Sequence, residues 1–173
     1  MSVVETELTA DEVAEQHAVA KQVVYDRLAV RARSRSELEQ TLLKKRVPAE
    51  VAAVVLDKFE AAGLVDDREF ARSWVQGRQR SKGLATGVLA QELKRHGVDD
   101  QVAAEALAEL DADTERQAAH QLVQKKLRTM QGLDPTTQIR RLTGLLARKG
   151  YAPQVAFDVV RAELDAEIVD DAC

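Results

Sequence analysis

The sequence is short of aromatic residues and proline, and each shortage narrows the kind of protein it encodes. Aromatic residues make up 3% of the 173 residues, whereas hydrophobic residues make up 45%, so the core must be built from aliphatic side chains. Only three prolines interrupt the chain, and the alternating β-branched runs typical of strands are missing. These features predict an all-α protein in which helices pack on helices.

Cysteine and long apolar runs are scarce as well. The single cysteine is the last residue, Cys173, so this chain alone cannot form an intramolecular disulfide or a thiolate zinc site. No apolar run approaches the roughly 18 residues of a membrane span. The N-terminal residues are acidic, whereas a signal peptide begins with basic and then apolar residues. We therefore expect a cytoplasmic protein without a membrane partner.

Sequence patterns of catalysis are missing. The chain has no phosphate-binding glycine loop, no dinucleotide fingerprint and no HExxH motif. His17, His96 and His120 are far apart, and none has a carboxylate or a second histidine at ligand spacing on its own helix. Helix capping and solvation explain most of the 29 acidic residues better than acid–base chemistry does. We expect no enzymatic activity, no cofactor and no metal site.

The charge is unevenly distributed along the chain. The formal net charge is −4, but residues 158–173 carry six acids and one base, and residues 1–16 carry acids and no base. The middle of the chain is therefore basic, which is compatible with a nucleic acid or a charged protein as partner. An ordinary solvated helical surface explains the same pattern equally well.

The middle of the chain also repeats itself. Segments 42–51, 93–102 and 146–155 align with offsets of 51 and 53 residues. In each segment a helix ends in leucine and basic residues, and a short turn leads into an Ala/Val-rich helix. Gly97 and Gly150 stand where a helix C-terminus favours a left-handed residue. Arg46 replaces that glycine in the first copy, so we expect its turn to be strained or differently shaped.

The repeat predicts three tandem three-helix units, because such short units bury a core by stacking on their neighbours. We expect the stack to be an elongated, curved molecule. The predicted segments are an acidic tail with the start of the first helix at 1–16, three-helix repeats at 17–63, 64–111 and 112–167, and an acidic tail at 168–173. The predicted helices are 17–32, 37–46, 49–62, 67–81, 84–96, 99–110, 113–130, 135–149 and 152–167. Residues 1–12 and about 168–173 are expected to be disordered.

Capping signals mark two of the predicted helix starts. Asp66 is a good N-cap residue, with Glu69 three positions later as in a capping box. Val65 and Phe70 are spaced as a hydrophobic staple around it. Ser36 and Glu39 are predicted to form the capping box of the second helix.

The segment 63–98 is the most informative part of the chain, since it mixes aromatic and basic residues on one helix. Trp74 shares a helical face with Phe70 and Val75, which favours a core position over stacking on a base. Arg78 falls within the same arc. It marks the edge of the buried face, pairs with a carboxylate or contacts a ligand, and a structural pair is favoured.

Six cations of this segment are candidate partner-binding residues: Arg72, Arg78, Arg80, Lys82, Lys94 and Arg95. Further cations lie in all three predicted units: Arg31, Arg33, Arg35, Lys44, Lys45, Arg68, Lys125, Lys126, Arg128, Arg140, Arg141, Arg148 and Lys149. Together they are numerous enough to line one long face.

With these residues in view, the chain resembles the RecX family of recombinase regulators over residues 24–164. The resemblance is carried by Leu28, Ser34-Arg35-Ser36-Glu37-Leu38, Leu42, Gly63-Leu64-Val65-Asp66-Asp67, Phe70-Ala71, Trp74-Val75, Arg78, Gly83, Glu92-Leu93 and Gly97-Val98. The central unit is its strongest part. The sequence departs from the family pattern at Arg46, usually glycine, and at His96, often lysine.

The resemblance implies a non-enzymatic monomer of tandem three-helix repeats. Its implied partner is the RecA recombinase filament on single-stranded DNA, where it restrains ATP hydrolysis and strand exchange during recombination and DNA repair, with or without direct contact to the nucleic acid. Two other classes stay open, a stand-alone helical DNA-binding protein and a helical adaptor. Against the first of these, no helix clusters Arg, Asn and Gln for reading base edges.

Overall fold

The computed structural model describes residues 9–170, which fold into nine α-helices without a β-strand. This confirms the all-α prediction. In chain order the helices are α1 (Ala10–Val30), α2 (Arg35–Lys44), α3 (Ala49–Ala61), α4 (Asp67–Lys82), α5 (Thr86–Arg95), α6 (Asp100–Ala108), α7 (Ala112–Leu127), α8 (Pro135–Arg148) and α9 (Pro153–Asp170). Most observed ends lie within two residues of the predicted ones.

The first helix begins earlier than predicted, at Ala10 instead of residue 17. Thr9 caps it, because its hydroxyl accepts the Glu12 backbone N–H at 3.3 Å while the Thr9 N–H donates to the Glu12 carboxylate at 2.8 Å. The expected disorder is therefore wrong from residue 9 onward and, at the other end, as far as residue 170. The rest of both tails, residues 1–8 and 171–173, lies outside the described residues.

The cap of α2 is Ser34, so the predicted Ser36–Glu39 capping box is wrong. The Ser34 hydroxyl accepts the Glu37 backbone N–H at 3.2 Å, and the Ser34 N–H donates to the Glu37 carboxylate at 3.2 Å. Ser34 is fully buried, and its hydroxyl donates to the backbone oxygen of His96 at 2.5 Å. The Ser-x-x-Glu spacing fits both Ser34 and Ser36, and this tertiary bond favours Ser34.

The predicted N-cap of α4 is confirmed. The Asp66 carboxylate accepts the backbone N–H groups of Arg68 at 2.9 Å and Glu69 at 3.0 Å. Since the first N–H groups of a helix have no partner within it, this cap fixes where α4 begins. The position of α4 matters because it carries most of the candidate cations.

The described residues form two compact units. The first comprises residues 9–70 with 96–98, and the second comprises residues 71–95 with 99–170. In the first unit, α1, α2 and α3 enclose an aliphatic core that includes Val24, Leu38, Leu42, Val55 and Leu56. In the second unit, α7, α8 and α9 enclose a core that includes Ala119, Val123, Leu142, Leu146 and Val159.

The turn at Arg46 has the shape of the glycine turns that it aligns with. Arg46 has φ 63°, compared with 70° at Gly97 and 91° at Gly150, and it is the only non-glycine residue with positive φ in the described part of the chain. The expectation of strain is confirmed, and a differently shaped turn is excluded. A left-handed residue with a Cβ costs roughly 1–2 kcal/mol.

Candidate functional site

The predicted cations of the second unit separate into two groups, those held by a carboxylate and those that are not. Arg72 belongs to the first group. Its Nε donates to the Glu109 carboxylate at 2.9 Å and its guanidinium NH2 donates to the same group at 3.0 Å. This hydrogen bond lowers the pKa of Glu109. The pair neutralises Arg72 on an exposed surface.

Arg78 is held more tightly, in a triad with Trp74 and Glu92. The Arg78 Nε donates to Glu92 at 2.8 Å, and the Trp74 indole N–H donates to the same carboxylate at 2.9 Å. The guanidinium carbon lies 5.4 Å from the centre of the Trp74 ring, within the range of a cation–π contact. The favoured interpretation of Arg78, a structural pair, agrees with this geometry.

The triad also corrects the interpretation of Trp74. Its side chain is partly exposed and does not belong to the buried core. Its indole N–H instead serves as a donor to Glu92. The hydrogen bond from Arg78 lowers the pKa of Glu92, and the same bond raises the pKa of Arg78. Sequence reasoning missed Glu92 as the partner, although it lies one helix further along at a position that the family pattern contains.

Arg80 and Lys82 belong to the second group. Both are exposed, and no carboxylate of the described residues pairs with either. They line a groove of about 710 Å³, named here the α4–α7 groove. Its lining residues are Gln79, Arg80, Ser81, Lys82, Gly83, Thr114, Gln117, Ala118, Gln121, Leu122, Lys125 and Lys149.

The chemistry of this groove is uniform. Four of its lining residues are cations, the others include the amides Gln79, Gln117 and Gln121, and none is acidic or aromatic. The sequence predicts the cations of this groove as part of a larger set of candidate cations. It gives no signal that the three glutamines line the same groove. Lys94 and Arg95 are exposed at the end of α5 and lie outside the groove lining.

Gly83 lies in the lining of this groove, and its backbone is fixed by contacts from α8 and the residues that follow it. Gly83 has φ 58°, and a Cβ there would meet the Leu122 side chain at 2.9 Å, so both the backbone conformation and the space favour glycine. The Tyr151 hydroxyl donates to the Gly83 oxygen at 3.0 Å, and the Lys149 ammonium donates to the Lys82 oxygen at 2.8 Å. Burial, together with the charge of Glu115, raises the pKa of Tyr151 to about 12, so this hydroxyl stays a donor at neutral pH.

Neither a metal-ligand cluster nor a membrane-spanning helix is found among the described residues. Residues 9–170 contain no cluster of three potential metal ligands among His, Cys, Asp and Glu. In the same range, no helix has both the length and the apolar character needed to cross a bilayer.

Comparison with known protein families matches all three predicted repeats. The matching models are described as the first, second and third three-helix domains of RecX, and they cover residues 20–59, 66–107 and 113–160. This confirms the resemblance and the organisation into three-helix domains. The exact boundaries proposed for the repeats, 17–63, 64–111 and 112–167, stay predictions.

Curated relatives support the same assignment. The regulatory protein RecX of Amycolatopsis mediterranei is 44% identical over 91% of this chain and 93% of its own length. The regulatory protein RecX of Mycolicibacterium smegmatis is 48% identical over 86% of this chain and 81% of its own. The crystal structure of RecX from Lactobacillus salivarius shares the fold, with a TM-score of 0.80 at 20% identity over 88% of this chain and 99% of that one. The chain therefore belongs to the RecX family of regulatory proteins and is a non-enzymatic regulator.

Proposed function

We propose that this protein regulates the RecA recombinase in the cytoplasm, binding its filament on single-stranded DNA as a monomer and restraining ATP hydrolysis and strand exchange. The observation that carries the proposal is the α4–α7 groove, in which Arg80, Lys82, Lys125 and Lys149 line one surface without a carboxylate. Membership of a family of regulatory proteins supports the regulatory role.

The composition of the groove favours the DNA backbone of the filament as its ligand. Lysine and arginine bind phosphates, and the exposed side-chain amides of Gln117 and Gln121 add uncharged donors for phosphate oxygens. No aromatic side chain lines the groove for stacking on bases. Binding through this groove is therefore independent of base sequence, as a regulator of a filament on any single strand requires.

A stand-alone repressor is less well supported. Base readout requires Arg, Asn or Gln on a helix that enters the major groove. Two arginines of α4, Arg72 and Arg78, instead form ion pairs with Glu109 and Glu92. The cations of the α4–α7 groove lie at helix ends: Arg80 and Lys82 in the last turn of α4, Lys125 in the last turn of α7, and Lys149 at the C-cap of α8. Contacts with phosphates fit that position better than contacts with base edges.

The test is ATP hydrolysis by the recombinase of the same organism on single-stranded DNA, with increasing amounts of this protein. We expect the parent protein to inhibit hydrolysis and the Arg80→Gln, Lys82→Gln double variant to inhibit less, more so at low salt, since salt screens attraction to phosphates. Glutamine keeps much of each aliphatic stem and removes the charge.

A matched control removes two charges elsewhere. Lys44 and Lys45 are exposed in the first unit and outside the groove, so Lys44→Gln, Lys45→Gln should inhibit as the parent does. Melting curves of both variants should match the parent, because surface changes usually shift stability by no more than about 0.5 kcal/mol. A parent protein that leaves hydrolysis unchanged at any concentration disproves the proposed function.

A further inference from the structure

A second basic groove lies in the same unit, between α7 and α8. This α7–α8 groove measures about 470 Å³ and is lined by Lys126, Met130, Arg140, Arg141, Leu145 and Arg148. Its four cations are exposed, and no carboxylate of the described residues pairs with any of them. The guanidinium of Arg148 lies back along its helix, within 3.4 Å of the place where Gly144 lacks a Cβ.

The linings of the two grooves include consecutive residues near the ends of α7 and α8. Lys125 lines the α4–α7 groove and its neighbour Lys126 lines the α7–α8 groove. In the same way Lys149 lines the first groove and Arg148 the second. Since consecutive Cα atoms are about 3.8 Å apart, the linings of the two grooves adjoin along the backbone at each of these points.

We propose that one single-stranded polynucleotide passes from the α4–α7 groove across the ends of α7 and α8 into the α7–α8 groove. The inference rests on the proposed function in so far as the first groove binds the DNA backbone, and it extends that contact to a continuous path. Eight cations and no carboxylate line the two grooves together. A chain of evenly spaced phosphates matches a surface that carries positive charges and no carboxylate.

An acidic protein segment is the competing ligand for the α7–α8 groove. Protein surfaces mix both signs, and an interface with one usually presents acceptors as well as donors. Where this protein holds arginines against its own surface, as at Arg72 and Arg78, a carboxylate meets each of them. The absence of any carboxylate from the lining of both grooves favours the polynucleotide.

The test measures binding of the whole protein to fluorescent oligothymidylates of about 4 and about 16 nucleotides, lengths that span the known range of single-strand sites. The variant is Arg140→Gln, Arg141→Gln, and the control is Lys44→Gln, Lys45→Gln. We expect the variant to bind the long oligomer about tenfold more weakly and the short one as the parent does. Its salt slope for the long oligomer should be less steep by about 1.4, for two lost phosphate contacts.

Other outcomes overturn the inference. Equal losses for both lengths, or unchanged binding of the long oligomer, would show that the path does not enter the α7–α8 groove. Unchanged DNA binding with lost inhibition of the recombinase would assign this groove to an acidic protein segment. No recombinase is present in the titration, so length-dependent binding by a protein that fails to inhibit hydrolysis would refute the proposed function and retain the path.

Discussion

Two arginines of the first unit are paired with carboxylates, whereas the cations of one groove in the second unit are not. In the first unit, Arg35 pairs with Asp57 at 2.8 Å and also with Glu60, and Arg31 pairs with Glu37 at 2.9 Å. In the second unit, the cations that line the α7–α8 groove have no carboxylate partner among the described residues. The difference indicates that the number of cations alone does not mark a candidate binding surface, and that several unpaired cations lining one groove are the better criterion.

The sharpest way to break this comparison is to remove the carboxylate from the best-held arginine of the second unit. Glu92→Ala removes the carboxylate that accepts from Arg78 Nε and from the Trp74 indole N–H. We expect the free energy of unfolding to fall by about 2 kcal/mol, the range for a lost hydrogen bond to a charged group. Urea melts measure it, and Glu109→Ala, which breaks an exposed pair, should have no measurable effect.

The same carboxylate gives a pH dependence. The pKa of Glu92 in the folded protein is lowered from its usual value of 4.5, first by the hydrogen bond from Arg78. Its contribution to stability is therefore complete above pH 4.5 and is lost as the pH falls through the lowered pKa. The difference in stability between the parent and Glu92→Gln should shrink below pH 4.5. A difference that stays constant down to pH 2 would show that the charge of Glu92 contributes nothing.

Residue patterns in the sequence were sufficient for most of the fold. The bounds of α3 and α4 are predicted closely by local signals, which are helical periodicity, the Asp66 cap and the glycines that follow basic residues. These signals act within a few residues of each other. The predicted cap of α2 is misplaced because Ser34 and Ser36 are each followed by a glutamate three residues later, and the bond from Ser34 to the His96 oxygen is a tertiary contact. Local sequence carries no record of such a bond.

The candidate site was harder to predict for the same reason. The sequence indicates that Arg72, Arg78, Arg80 and Lys82 share a helix, and a helical wheel shows their faces. It does not show that Arg72 pairs with Glu109 and Arg78 with Glu92, since these partners lie 37 and 14 residues away along the chain. Pairing, rather than charge, separates the candidates.

Arg46 sharpens the comparison in the first unit, because this cation costs stability through its backbone rather than its charge. Arg46→Gly relieves a left-handed residue at φ 63°, and the flexibility of glycine in the unfolded chain offsets part of the gain. We expect a net stabilisation of about 0.5–1 kcal/mol in urea melts. Lys45→Gly removes the same charge next door, where φ is −85°, and should destabilise the protein. Two variants with the same sign of effect would refute the backbone explanation.

The smallest expected effect concerns the unpaired cations themselves. Arg140 and Arg141 share a groove with Lys126 and Arg148, so like charges repel one another where no carboxylate offsets them. Arg140→Gln, Arg141→Gln should therefore stabilise the protein slightly, by up to about 0.5 kcal/mol at low salt, and the gain should disappear when salt screens the repulsion. Arg35→Gln should have the opposite sign, since it breaks the pairs with Asp57 and Glu60. Thermal melts of the two variants at low and high salt measure both signs. If both variants are destabilising at low salt, the cations of the α7–α8 groove do not repel one another measurably. The contrast with Arg35 then does not mark a binding surface.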